Sequence, residues 1–137
     1  MVQSVPQQLG VRPVINAAAT LTKLGGSIMP PEVVEAMSAA SRSYVDMFEY
    51  NRKVGERLAE LTHNEAAFVT SGAAAGIAVG VASCIAGTNK DLQQSFPYLD
   101  GVEKTNVVVY KSQRNPYDYA ARQTGARLVE IEPRSEE

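Results

Sequence analysis

Three consecutive valines, Val107 to Val109, lie inside the run Asn106 to Tyr110, and a β-branched stretch of that kind suits a strand buried on both faces of a parallel sheet. Just beyond it, Asn115 as a cap, Pro116 at the first helical position and Asp118 in the first turn predict a helix that Gly125 ends. Arg127 to Glu132 then supplies a second strand. Strand, helix and strand in so short a span require a right-handed parallel crossover, which puts the chain in the α/β class.

Upstream, Ala66 to Thr70 has the composition of a strand, and it passes through Ser71 and Gly72 into Ala73 to Ala86, a small-residue helix ended by Gly87. Between the two units the polar stretch Thr88 to Thr105, with Pro97, Asp100 and Gly101, is either an excursion at a functional rim or a surface loop. Nearer the start, Arg12 to Asn16 is expected to be briefly extended, and Ala17 to Pro30 is a turn-rich loop needing positive φ at its glycines. Pro31 opens a helix carrying Val33, Val34, Met37, Ala40 and Tyr44 on one face and ending near Ser43. Asp46 with Glu49 predicts a capping box for a second helix, apolar at Met47, Tyr50, Val54, Leu58 and Leu61 and ending at Thr62. His63 and Asn64 form the turn that follows, with His63 read as a cap or surface residue.

The chain has 137 residues, 45% of them apolar, which suits one globular domain rather than two. A net charge of −2 gives no electrostatic footprint for nucleic acid. Cys84 stands alone, so neither a disulfide framework nor a multi-cysteine metal cluster is expected. The most apolar stretch, Ala66 to Ala86, is interrupted by Ser71, Gly72, Gly76, Gly80 and Ser83 and reads as buried core rather than a membrane span. No secretory pattern opens the chain, and a cytoplasmic location is expected.

Two places carry candidate chemistry. At Thr70-Ser71-Gly72-Ala73-Ala74, unpaired N–H groups at a helix start, the positive end of the helix dipole and the Ser71 hydroxyl converge on a point suited to a phosphate. An ordinary serine-capped junction is the alternative. Neither a Walker loop nor a dinucleotide fingerprint fits the segment, and Ser71 has no base in reach for nucleophilic work. The second place is Gln113-Arg114-Asn115-Pro116-Tyr117-Asp118, just past the carboxyl end of the valine strand, where ligands of open α/β sheets bind. There Arg114 suits an anionic substrate group and Tyr117 can donate a hydrogen bond, against the alternative of a capping turn with a solvated arginine.

Several blocks, taken in order, resemble a known family over nearly the whole chain. Arg12-Pro13-Val14-Ile15-Asn16-Ala17, Leu21-Thr22-Lys23-Leu24-Gly25-Gly26-Ser27 and Pro31-Glu32-Val33-Val34-Glu35-Ala36-Met37 are similar to the opening of selenocysteine-synthase-like enzymes, including lyases of the D-glucosaminate-6-phosphate ammonia-lyase kind. Glu65 to Ala75 resembles their phosphate-cup strand and helix, and Arg114 to Asp118 with Gly125 to Glu130 resembles their next crossover. The resemblance implies the aspartate aminotransferase fold, a mostly parallel sheet with flanking helices, and pyridoxal 5'-phosphate as cofactor.

It also implies roles. Ser71, Gly72 and Ala73 match the positions that hold the cofactor phosphate. Gln113 falls where a histidine or aromatic group commonly covers the pyridine ring, and a glutamine there can lie flat but supplies no imidazole for proton transfer. Arg114 and Tyr117 are the expected substrate contacts. The catalytic residues are unknown from this chain: Lys111 lacks the flanking pattern of the cofactor-bearing lysine, and Lys23, Lys53, Lys90 and Lys104 fall in helix or loop positions. The chain therefore resembles an amino-terminal portion only, with residues 1–30 as N-terminal segment and active-site loop and 31–137 as the first part of the cofactor-binding large domain. Its exposed sheet edge and apolar face are expected to make it unstable or self-associating alone.

The activity implied is elimination or replacement at the β-carbon of an amino-acid-type substrate, as a lyase or transferase. A small-molecule substrate and a homo-oligomer are the expected partners, while a membrane and tRNA are not. The alternative is a non-catalytic remnant or assembly module that keeps the phosphate cup.

Overall fold

The computed structural model describes residues 5–133, which fall into two units divided between Asp46 and Met47. In the first unit a short helix α1 (Val5–Gln8) precedes Arg12 to Asn16, which has no strand partner among the described residues. Asn16 organises the following loop: its side-chain oxygen accepts from the Ala18 N–H at 2.8 Å and its amide donates to the Ala19 carbonyl at 2.8 Å. A 3-10 turn over Thr22–Leu24 stops at Gly25, where φ is 96°, so the glycine-rich loop has the positive φ its sequence requires. Helix α2 (Pro31–Ala40) begins on Pro31, whose missing N–H costs nothing in a first turn. It ends before Ser43, and the Ser41 hydroxyl turns back to the Ser38 carbonyl at 2.9 Å.

The second unit begins with α3 (Met47–Thr62), whose solvent face carries the ion pairs Arg57–Glu60 at 2.9 Å and Lys53–Glu56 at 3.2 Å, together with Arg52–Glu56. On the opposite side Gly55 and Ala59 are buried, and a Cβ at position 55 would stand 2.2 Å from the Ala67 carbonyl oxygen. The glycine thus lets α3 close on the backbone of the next segment. Asn51 adds a hydrogen bond from its amide to the Val69 carbonyl at 3.3 Å. His63 occupies the turn after α3 with φ of 55°.

Ala66 to Thr70, expected as a strand, has no ladder partner among the described residues. A strand exists only through the neighbour that satisfies its N–H and C=O groups, and the described sheet offers none to this segment. Helix α4 (Ala73–Ala86) follows as expected and ends at Gly87. The stretch from Thr88 is more ordered than its polar composition suggests: Asn89 accepts from the N–H groups of Asp91 and Leu92, both at 3.1 Å, and so caps a helix α5 (Lys90–Ser95).

Strands β1 (Asn106–Tyr110) and β2 (Arg127–Ile131) pair in parallel, with Val108 opposite Val129. Their connection is not one continuous helix. It runs through 3-10 turns at Lys111–Gln113 and Pro116–Asp118 and then a short α6 (Tyr119–Arg122), and Gly125 ends it at φ 85°. A Cβ on Gly125 would come within 2.1 Å of the Pro97 carbonyl oxygen, so the loop after α5 packs there only because the residue is glycine.

Among the described residues the buried apolar ones are alanines: Ala59, Ala86, Ala120, Ala121 and Ala126. No large side chain is fully buried, and the expectation of a valine strand buried on both faces is corrected, since Val108 is 61% exposed while Val107 and Val109 are half-buried. Side chains alternate along a strand, so Val108 projects from the face opposite Val107 and Val109, and that face is open to solvent. The surface amounts to 12241 Å², whereas a compact chain of this mass exposes about 6,900 Å² and two separate compact units about 8,300 Å². Large apolar side chains are among the exposed residues, Phe48 at 91% and Ile15 at 99%.

Candidate functional site

The start of α4 is open. Gly72 is its N-cap at φ 141° and ψ 174°, a backbone region essentially closed to side-chain-bearing residues, and no side chain caps the helix. The first bond onto this turn runs from the Gly76 N–H to the Gly72 carbonyl at 2.9 Å, which leaves the N–H groups of Ala73, Ala74 and Ala75 without a helical acceptor. Thr70 braces the corner by donating its hydroxyl to the Gly72 carbonyl at 3.0 Å. The space that a Cβ at position 72 would fill is empty for 4 Å around. Ser71, Gly72 and Ala73 are all exposed, so donors and hydroxyl face an accessible space.

The cavity linings show which end of the sheet this corner occupies. Ile77, one turn into α4, shares a pocket of about 200 Å³ with Val107 to Val109, Asn115 and Tyr117. Farther along the helix, Gly80, Cys84 and Ile85 share a cleft of about 580 Å³ with Lys104 and Asn106, at the opposite end of β1. Helix α4 therefore runs antiparallel to β1, and its amino end points toward the strand's carboxyl end. Ala73 precedes Ile77 by about 6 Å of helical rise. Both candidate regions accordingly lie on the carboxyl side of the parallel strands, the side on which such sheets bind ligands.

The second region is a hydrogen-bonded turn. Asn115 caps it, accepting from the Tyr117 N–H at 2.8 Å and donating to the Gln113 carbonyl at 3.1 Å. Asp118 completes a capping box by accepting from the Asn115 N–H at 3.4 Å. Arg114 reaches both Asp118, through Nε, and Glu130 on β2, through a terminal guanidinium nitrogen. The hydrogen bond from Arg114 holds the Asp118 carboxyl below the usual carboxylate range, and the same bond from Asp118 raises the arginine further. Gln113 is exposed, and Tyr117 lines the pocket that Ile77 shares. Lys111 is paired with Glu132 at 3.1 Å.

Three contributors escape a reading of the sequence alone. Asn51 and Thr70 brace the segment leading into α4, and Glu130 completes the arginine's partners. Glu130 stands sixteen residues from Arg114, so only the parallel crossover brings the two together. Among the described residues no group of three or more histidine, cysteine or acidic side chains is placed to hold a metal ion, and no helix is long and apolar enough to cross a membrane.

The described residues thus form an α/β chain with a small parallel sheet and a helix start that no side chain caps. No protein-family model matches the sequence. It is 35% identical over 136 residues to a D-glucosaminate-6-phosphate ammonia lyase of Salmonella typhimurium, a match covering 96% of this chain and 36% of that protein. It is 38% identical over 130 residues to a 5'-C-glycyluridine monooxygenase-decarboxylase of a Streptomyces species, covering 91% and 32%. A solved structure of a D-glucosaminate-6-phosphate ammonia-lyase superposes with a TM-score of 0.90 at 33% identity, over 97% of this chain and 37% of that one. The chain is therefore similar to D-glucosaminate-6-phosphate ammonia lyases, and it spans about a third of the length of the curated relatives it matches.

Proposed function

We propose that this chain supplies the phosphate-gripping and ring-facing side of a pyridoxal-phosphate site, in an enzyme acting on an amino-acid-type small molecule by elimination or replacement at its β-carbon. One observation carries the reading. A helix start with unpaired N–H groups, a glycine at its cap and clear space beyond lies at the sheet edge that also holds the Gln113 to Asp118 turn.

The residues present fit such a cofactor. A phosphate ester needs several converging donors and close backbone approach, which the N–H groups of Ala73 and Ala74, the Ser71 hydroxyl and the bare Cα of Gly72 provide. When bound, the cofactor supplies the electron sink for charge that develops at the substrate Cα. Ser71, Gly72 and Ala73 bind and orient it through the phosphate. Gln113 would face the ring and could shield that side from water, without an imidazole to exchange protons. Tyr117 offers a hydroxyl donor toward the substrate. The lysine that would carry the cofactor is not assigned within this chain.

Two relatives whose names describe different reactions share this same third of their sequence with the chain. The shared part accordingly supports the common binding machinery, with reaction outcome decided elsewhere. The similarity to the monooxygenase-decarboxylase carries a second reading, loss of a carboxyl group from a glycyl nucleoside. Titration with pyridoxal 5'-phosphate, followed by its absorbance, tests the site: saturable binding that Ser71→Glu abolishes supports the proposal, and equal affinity in that variant refutes it. Assay of a sugar-acid phosphate amine against a glycyl nucleoside then separates the two reactions.

A further inference from the structure

We propose that Arg114 is a positioning residue whose guanidinium forks between Asp118 and Glu130 and so latches the Gln113 to Asp118 turn to β2. Its part in the site is then to set where Gln113 and Tyr117 stand, in place of the anion contact that its sequence position suggests. The latch itself stands on the ion pairs alone; its consequence for a cofactor rests on the function proposed above.

The partners make the case. Arg114 offers two different edges of its fork to two carboxylates from separate elements, one four residues on and one on the neighbouring strand. Both of those edges are already occupied by carboxylates, so Arg114 would have to give up a partner to receive a phosphate or carboxylate. Asp118 is the better shielded carboxylate, with its side chain 13% exposed, and it also accepts from the Asn115 N–H. Asn115 in turn bonds Gln113 and Tyr117. From Glu130 through Arg114 and Asp118 to Asn115, one run of polar contacts ties the strand to both residues expected at the ligand. Lys111 with Glu132 pins the same turn at its entrance.

The test uses Arg114→Gln, Arg114→Lys and Glu130→Gln in the protein as its source makes it, read first by amide hydrogen exchange. A latch predicts exchange at the Tyr117 and Asp118 amides faster by about tenfold in all three variants, with the Val108 and Val129 amides within about twofold of wild type. Lysine fails like glutamine because it cannot fork to both acids. Unchanged exchange at Tyr117 and Asp118 in Glu130→Gln, the mildest of the three substitutions, overturns the latch.

Pyridoxal 5'-phosphate affinity is read next. The latch predicts weaker binding in both Arg114→Gln and Glu130→Gln. Weaker binding in the first with tighter binding in the second means that freeing the arginine helps it hold an anion, and this also overturns the latch. Wild-type protein that ignores pyridoxal 5'-phosphate while its turn amides respond as described removes the function proposed above and leaves the latch standing.

Discussion

The crossover from β1 to β2 and the segment from Ala66 to Ala86 are built on opposite terms. In the crossover each strand pairs with the other, the turn between them is capped twice, and its charged residues are matched within reach. The Ala66 to Thr70 segment has α3 against its backbone through Gly55 and Asn51 but no strand beside it among the described residues, and a cleft of about 580 Å³ is lined by both the helix it feeds and the start of β1. The crossover is complete in itself. The start of α4 is exposed and its first backbone donors have no helical acceptor, and the function proposed above assigns a phosphate to them. On that proposal, order without a ligand belongs to the scaffold and open hydrogen-bonding capacity to the site.

Four substitutions or conditions break or sharpen this contrast. The largest effect falls on the cup: Ser71→Glu places a negative charge among the donors and is expected to weaken pyridoxal 5'-phosphate binding by about a hundredfold or more, as read by equilibrium titration, while leaving the β1–β2 amides protected. Next, Gly125→Ala meets both an unfavourable φ and the Pro97 carbonyl at 2.1 Å. A loss of about 2–3 kcal/mol in unfolding free energy is expected from denaturant titration, centred on the crossover rather than the start of α4. A neutral outcome would show that this region is less tightly determined than its contacts indicate.

Asn115→Ala removes a cap that bonds both Tyr117 and Gln113, at a cost of about 1 kcal/mol in thermal or chemical unfolding. The mildest effect is one of acidity. Arg114 lowers the Asp118 carboxyl below its unfolded value, with Arg122 and the Asn115 N–H acting in the same direction. Its contribution is fully present above the ordinary carboxylate range and disappears as pH falls through the depressed value. Unfolding followed against pH should thus show the crossover loosening under acid conditions, and Asp118→Asn should flatten that dependence.

Much of the crossover was legible from sequence because its signals are local. Three valines, an Asn-Pro opening and Gly125 mark β1, the turn and the end of α6 within a few residues of where they act. Glu130 was not legible as a partner of Arg114, since register rather than proximity in the chain joins them. The small-residue helix and its end at Gly87 are equally plain in the sequence, whereas its N-cap is Gly72 rather than the serine that the sequence offers as a cap. The strand before them was not correctly read: composition favours β structure at Val69 and Thr70, but pairing requires a second strand, and composition says nothing about whether one is within reach. Burial of the valines failed for a related reason, since a sequence pattern reports the environment of a whole fold while Val108 here faces solvent. Helix α5 was hidden by polar composition, although Asn89 followed by Asp91 is an ordinary helix start.

The most direct test of the phosphate grip is amide chemical-shift mapping as pyridoxal 5'-phosphate is added. The account predicts saturable shifts largest at Gly72, Ala73 and Ala74, with a smaller response at Gln113, and their disappearance in Ser71→Glu. Shifts confined to other parts of the chain, or none at the start of α4 at saturating cofactor, would contradict it.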